Sequence, residues 1–155
     1  MQGIIRAVCV SERKGTKKQS VSSVHLTEHH GIDGDAHAGP WHRQVSLLSY
    51  DKVKEFKRRG AQVADGAFGE NLLVAGIDFR TLPVGTLFTT ENTLLQLTQI
   101  GKECHAHCAI YHQVGTCIMP HEGVFAKVLR GGTIQPGEIM TVTLPAESEN
   151  KMELT

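Results

Sequence analysis

The stretch TLFTTENTLLQLTQI, residues 86–100, decides the fold class. Its two flanks are rich in Thr, Leu and Ile, side chains that suit a pleated, half-buried surface. Between them Glu91-Asn92 carries turn chemistry, because Asn tolerates a left-handed backbone and bonds back to its own chain. A hairpin is predicted, with strands over 86–89 and 93–100. Candidates of the same kind recur at 3–10, 21–26, 44–48, 71–74 and 139–144, separated by turns containing Gly and Pro. Short strands punctuated in this way favour a closed or partly closed barrel over a doubly wound sheet. The predicted class is mainly β with a few helices, barrel-like and with an α+β tendency.

Two helices interrupt the strands. Ser49 can cap one from Tyr50 to about Arg59, with Tyr50, Val53 and Phe56 on one face, Asp51 in the first turn and Gly60 as the stop. A second is predicted from Pro120 to about Arg130. Val124, Phe125, Val128 and Leu129 would form its buried stripe, His121 and Lys127 its surface, and Gly131-Gly132 its end. The chain reads as one domain over 1–145, with a polar, charged tail at 146–155 expected to be disordered.

Composition narrows the function. The 155 residues can bury a core without metal or disulfide staples. Sixteen basic and sixteen acidic side chains cancel, so no broad field points to nucleic acid or to a membrane surface. No apolar run approaches the ~20 residues of a membrane span, and the amino terminus lacks the pattern of a signal peptide. A cytoplasmic protein is expected. In a reducing compartment four cysteines are thiols, ligands or catalytic groups before they are a disulfide frame. Cys9, inside an apolar run, is expected in the core.

The densest chemistry lies in GKECHAHCAIYHQVGTCIMPHEG, residues 101–123. It holds Cys104, Cys108 and Cys117 with His105, His107, His112 and His121. Three readings of it compete. In one, a cysteine thiolate carries sulfur or ligates a soft metal, its acidity raised by Lys102, by protonated His105 or by a helix start. In another, Cys and His donors hold a structural zinc, although C-x3-C followed by a lone cysteine matches no common finger. In the third the thiols are packed as small apolar groups. The helix start at Pro120 would offer unpaired N–H groups to an anion near Cys117.

A second constellation is GIDGDAHAG, residues 31–39. Its aspartates invite a calcium reading, but Ala38 and Gln44 stand where an EF-hand loop needs Gly and Glu. A loop whose aspartates bond its own backbone is the plainer expectation. His37, His42 and Arg43 remain as ligand-facing groups, Arg43 for the planar fork that suits a phosphate. In GAFGEN, residues 66–71, Glu70 and Asn71 either orient a ligand or build a turn, and the turn is preferred. Dinucleotide, P-loop, serine-elbow and HExxH motifs do not occur.

Six segments in order resemble a MOSC domain, the module at the C-terminus of molybdenum-cofactor sulfurases that also occurs as small stand-alone bacterial proteins. They are GIDGDAHAG with RQVSLLS (31–39, 43–49), GAFGENL (66–72), LPVGT (82–86), TQIGKECH (98–105), CIMPHEGVFAKVLRGG (117–132) and PGEI (136–139). The resemblance implies a β-rich barrel, association with the molybdenum cofactor, and a cysteine just after a long strand that carries sulfur or binds molybdenum. The matching position here is Cys104, expected as both working thiol and metal ligand. Arg43, Lys102, His37, Cys117 and His121 are the expected cofactor contacts.

A lone module has no room for the pyridoxal-phosphate domain of the large sulfurases, so pyridoxal phosphate is not expected to bind. Accepting, carrying or delivering sulfur, or binding cofactor, is the leading expectation. The implied partners are the molybdenum cofactor or its carrier or acceptor enzyme, and a sulfur-donor protein. Two alternatives stay open: a molybdenum-dependent reductase of N-hydroxylated substrates, and a zinc-stabilised interaction protein without catalysis.

Overall fold

The structure is a computed structural model that describes residues 1–14, 16–60, 62–101 and 123–146. Its strands are β1 (Gln2–Val10), β2 (Gln19–Val21), β3 (Val24–Thr27), β4 (Gly31–Ile32), β5 (Val45–Ser49), β6 (Leu72–Ala75), β7 (Leu87–Thr89), β8 (Leu94–Ile100), β9 (Val124–Arg130), β10 (Gly132–Ile134) and β11 (Ile139–Thr143). Among the described residues, the α-helix α1 (Tyr50–Arg58) and a 3-10 turn (Phe79–Thr81) accompany them. The expected class, mainly β and barrel-like, is what the chain adopts.

Seven strands close the barrel in the order β11-β7-β8-β9-β5-β6-β1, and pairing of Gln2 with Thr141 and Ile4 with Ile139 joins its two ends. β2 extends β1 as an eighth strand, while β10, β3 and β4 form a small separate sheet. Among the described residues, only β5 and β6 pair in parallel. A parallel neighbour needs a crossover rather than a tight turn, and α1 supplies it.

The barrel interior is filled by Ile5, Val8, Leu47, Leu72, Phe88, Leu95, Leu97, Val124, Ala126 and Val128, among others. Each fully buried aliphatic side chain there contributes about 2 kcal/mol relative to exposure. A second core lies on the outside of the wall, where α1 packs Val53 and Phe56 against Ala7, Cys9, Leu48, Leu73 and Phe125. In β1 the pairing with β6 shifts between Ile5 and Ala7. The irregularity breaks the alternation of the strand, so that Val8 joins the interior while Ala7 and Cys9 serve the outer core.

Helix α1 forms as its sequence predicts. The Ser49 hydroxyl accepts from Lys52 N–H at 3.4 Å, Asp51 sits in the first turn, and Gly60 follows the end with φ +106°. The predicted hairpin also forms, and Thr90 and Thr93 close it through their hydroxyls at 2.6 Å and the Thr90 N–H to Thr93 carbonyl bond at 3.0 Å.

Two expectations change. The helix predicted from Pro120 to Arg130 does not exist over 124–130, which is the strand β9, hydrogen-bonded to both β8 and β5. Val124, Ala126 and Val128 face the interior and Phe125 the outer core, so both faces of the strand are buried there. Its apolar residues therefore mimic a helical stripe. Gly131 is required for close approach instead of a helix stop, since a Cβ on it would meet the Leu26 carbonyl oxygen at 2.4 Å. The expected helix start at Pro120 lies outside the described residues. The strand expected at 21–26 is split, its first part ending β2 on the barrel and its second belonging to β3 in the small sheet. The expected tail lies outside the described residues from 147 onward.

Candidate functional site

The loop between β4 and β5 turns the residues 33–44 back over the barrel wall. Asp35 is its inward anchor. Oδ1 accepts from the Ser11 N–H at 3.1 Å and from the Lys18 ammonium at 2.7 Å, and Oδ2 accepts from the His37 N–H at 3.1 Å. Both side chains of the Lys18–Asp35 pair are fully buried. Asp33 instead accepts from the Thr27 hydroxyl at 2.7 Å. Of these bonds only that from the His37 N–H to Asp35 is to the loop's own backbone, as the plainer reading expects; the others tie the loop to Ser11, Lys18 and Thr27 outside it.

What the loop displays is a row of aromatic and basic groups. The single Trp of the chain, Trp41, is half-exposed and donates its indole N–H to the His37 carbonyl at 2.7 Å. The His37 ring is nearly parallel to it with centroids 6.5 Å apart, and His42 meets its edge at 6.0 Å. The Lys14 ammonium lies 5.3 Å and the Arg43 guanidinium 6.0 Å from the Trp41 ring centroid, within the range of a cation–π attraction. Arg43 also covers Phe125 at 5.2 Å.

From there the contacts reach across β9 to β8. Arg43 Nε donates to Gln99 Oε1 at 2.9 Å, and His42 Nε2 lies 2.7 Å from the same oxygen. The Thr98 hydroxyl bonds to the His42 carbonyl. The Gln99 amide nitrogen donates to the Gly101 carbonyl at 2.8 Å, and Gly101 N–H bonds to the Gly123 carbonyl at 2.7 Å. Those two glycines are the stem of the cysteine-rich segment. Lys14 and Arg43 set two cations around Trp41, while the Asp35 carboxylate is matched by the buried Lys18, so the surface around Trp41 offers hydrogen-bond donors and positive charge.

Two of the expected site residues, His37 and Arg43, therefore meet around Trp41. Cys104, Lys102, Cys117 and His121 lie outside the described residues. Among the described residues, no group of three His, Cys, Asp or Glu side chains is placed to hold a metal ion, and no helix is long and apolar enough to cross a membrane. Sequence reasoning missed Trp41, Gln99 and Lys18. A lone Trp in a Gly-rich loop was the available signal for the first; nothing local marks Lys18 among its basic neighbours as the buried one.

The segment at 66–71 is a brace, not a ligand site. Glu70 is fully buried, and its two oxygens accept from the Gly66 and Phe68 N–H groups at 3.0 Å each. Burial pushes its carboxyl up to about 7, against the pull of those backbone bonds, with Asp65 adding a smaller upward push. Asn71 ties three strands: its oxygen accepts from Ser46 N–H at 2.9 Å, and its amide donates to the Cys9 carbonyl at 2.9 Å. Cys9 is sealed in the outer core as expected. Its thiol is pushed up to about 12 by burial, then by the charges of Glu70 and Asp65, with Lys18 opposing.

The model of the MOSC domain matches residues 28–141, and the chain belongs to that family. In fold it is similar to the YuaD protein from Bacillus subtilis, at a TM-score of 0.76 and 16% identity over 92% of this chain and 96% of that one. It is similar also to YiiM from Geobacillus stearothermophilus, with a TM-score of 0.67 and 18% identity over 98% and 84% of the two chains. For YiiM from Escherichia coli the TM-score is 0.63 and the identity 18%, over 95% and 75%. No curated protein matches in sequence.

Proposed function

We propose that this barrel is a binding and transfer module for the molybdenum cofactor, with the Cys104 thiolate as its working group. What supports the reading most is the tether Arg43–Gln99–Gly101. It joins a cationic, aromatic surface to the stem of the segment that carries Cys104, four residues beyond the end of β8.

The donor set fits the group. Molybdopterin combines a phosphate with a flat, polar heteroaromatic ring. A guanidinium fork suits the phosphate, and an exposed indole suits a ring face. Arg43 Nε is committed to Gln99, which leaves the terminal nitrogens of the fork to meet phosphate oxygens. His37 and His42 flank the Trp41 ring, the His42 Nε2–H being committed to Gln99, and Lys14 adds charge. Lys102, Cys117 and His121 are assigned to the same site from sequence. When bound, the cofactor supplies a soft metal centre capable of two-electron chemistry.

Sulfur transfer follows from thiolate chemistry. The Cys104 thiolate attacks the outer sulfur of a donor persulfide, the donor's S–S bond breaks, and the donor leaves as a thiolate while Cys104 becomes the persulfide. Delivery is the same exchange onto an acceptor thiolate. It requires an accessible sulfur of low pKa. Lys102 and the cationic surface would favour the ionised form.

The deciding experiment uses full-length protein made in cofactor-producing cells, with metal and pterin analysis and persulfide labelling. The wild type is expected to hold molybdenum and pterin or to form a persulfide, and Cys104→Ser to lose the metal or the persulfide. Both surviving intact in the variant would remove Cys104 from the role. One zinc per chain with no pterin would overturn the reading altogether.

A further inference from the structure

Among the described residues, strand β2 pairs with β1 on one side and with no strand on the other. Its central residue, Ser20, stands opposite Cys9. The Cys9 N–H donates to the Asn71 carbonyl at 2.7 Å, on the side of β1 away from β2. Cys9 and Ser20 are therefore a non-hydrogen-bonded pair, and the Ser20 N–H and C=O point outward from the sheet. Two residues earlier the Lys18 N–H points the same way and donates to the Gly66 carbonyl at 2.9 Å. Ser20 is exposed, and among the described residues its backbone groups take no partner from the chain.

A groove of about 600 Å³ follows this edge, lined by Lys17, Gln19 and Ser20, by Lys57 from α1, and by Ala64 and Asp65. Lys17 and Lys57 are exposed and form no ion pair among the described residues. Lys18 between them and the core is already matched by Asp35. The groove thus sets two unmatched ammonium groups against the single carboxylate of Asp65. The excess of positive charge continues around it. Residues 13–18 and 52–59 hold nine of the sixteen basic side chains of the chain and one carboxylate, Glu55. A chain of zero net charge therefore carries a cationic face where the loop before β2 meets α1.

An open strand edge recognises another backbone, and the charges beside it select the side chains that come with it. We propose that this edge docks an acidic, extended segment of a partner protein. The segment adds as a strand beside β2, exchanges main-chain hydrogen bonds with Ser20, and sets its carboxylates against Lys17 and Lys57. Val21, 38% exposed, gives it an apolar neighbour on the same strand. A nucleic acid suits the groove less well, because among the described residues no aromatic ring lines it for a base to stack on. A membrane surface suits it less well too, since Ala64 alone of the lining side chains is apolar. The loop leading into β2 carries Lys14, which lies against Trp41, so the docked partner sits beside that surface. Docking of this kind is independent of whether the cofactor binds.

The probe is a short fluorescein-labelled peptide in which Glu alternates with Thr and Val, with its Lys counterpart as control. Anisotropy on the full-length protein at low salt is expected to show binding of the acidic peptide alone, weakened in high salt. The Ser20 amide of the wild type should gain protection from hydrogen exchange in the complex. Lys17→Glu/Lys57→Glu should lower the affinity about tenfold or more. Ser20→Pro deletes an N–H that the barrel does not use, a change that an edge strand accommodates, and should lower it likewise in a protein that still melts cooperatively. Failure of the acidic peptide to bind, equal binding of the Lys peptide, or binding without protection at Ser20 overturns the proposal. So does an unchanged affinity in the lysine double variant or in a folded Ser20→Pro protein. Tighter binding of single-stranded DNA or of phosphatidylserine vesicles, lost in the lysine double variant, would assign the face to a polyanion and overturn strand docking.

Discussion

Arg43 and Gln99, 56 residues apart in sequence, are joined by a 2.9 Å hydrogen bond from the guanidinium Nε to the amide oxygen. The bond spans β9, which lies between the strand that follows Arg43 and the strand that carries Gln99. It turns a flexible cation into an oriented one and couples it to the stem at Gly101. Preorganisation of this kind reduces the entropy lost when a ligand is held.

Arg43→Ala should lower retention of pterin and the affinity for inorganic phosphate by about tenfold or more, the effect of losing one charge-assisted bond of roughly 1.5–3 kcal/mol. Arg43→Lys keeps the charge without the fork and should fall between. Equilibrium titration with phosphate, together with melting curves, checks this. Unchanged phosphate affinity in a folded Arg43→Ala protein would remove the residue from the site.

Glu70 predicts a pH dependence of stability. Its folded-state value of about 7 lies above the ordinary 4.5, so between those values the folded chain holds a proton that the unfolded chain has released. The contribution is full below pH 4.5, declines as pH rises through 7 and then levels off, on the order of 3 kcal/mol in all. Urea denaturation from pH 4.5 to 8 should show the decline, and Glu70→Gln should flatten it. An identical slope in that variant would assign the effect to another group.

Gly66 holds φ +90°, and a Cβ placed on it would lie 2.1 Å from the Lys18 carbonyl oxygen. The obstacle is backbone, which cannot swing aside, and a left-handed conformation adds strain for any other residue. Gly66→Ala should destabilise the protein by roughly 2–4 kcal/mol, reading the overlap as backbone strain of this kind plus lost bonds. Lys18 N–H also bonds to the Gly66 carbonyl at 2.9 Å, so the same variant should also disturb the buried Lys18–Asp35 pair. Gly69→Ala is a control, since a Cβ there meets nothing within 4 Å although its φ is also positive.

Cys9 should behave as an inert thiol. With its value near 12 and no exposure, it stays protonated at neutral pH. Alkylation by iodoacetamide at pH 8, followed by peptide mapping, should leave Cys9 unmodified until denaturant is added. Fast modification in the native protein would mean that the outer core opens readily.

Much of the fold is legible in local patterns. Ser49, Asp51, Phe56 and Gly60 each state their part in a helix, and the residues 86–100 state a hairpin. The segment 124–130 misleads for a physical reason. A strand buried on both faces loses its period-two signal, and apolar residues at 124, 125, 128 and 129 then match a helical stripe equally well. What separates the two is the presence of β8 and β5 on either side, which no window of sequence contains.

The site divides along the same line. His37 and Arg43 stand out in sequence because a histidine and an arginine in a Gly-rich loop have few structural duties. Trp41, Gln99 and Lys18 matter through partners 4, 56 and 19 residues away.

By itself, the sequence determined the class of fold, the helix with its caps, the family, and the chemistry available near Cys104, because caps, turns and motif order are written in neighbouring residues. Tertiary structure alone decided that 124–130 is a strand and that a barrel closes through Ile4 and Ile139. It also decided that Lys18, one of several adjacent cations, is the one drawn beneath His37. Closure and burial arise from contacts between distant segments, and a side chain's protonation and role follow from the partners that those contacts bring to it.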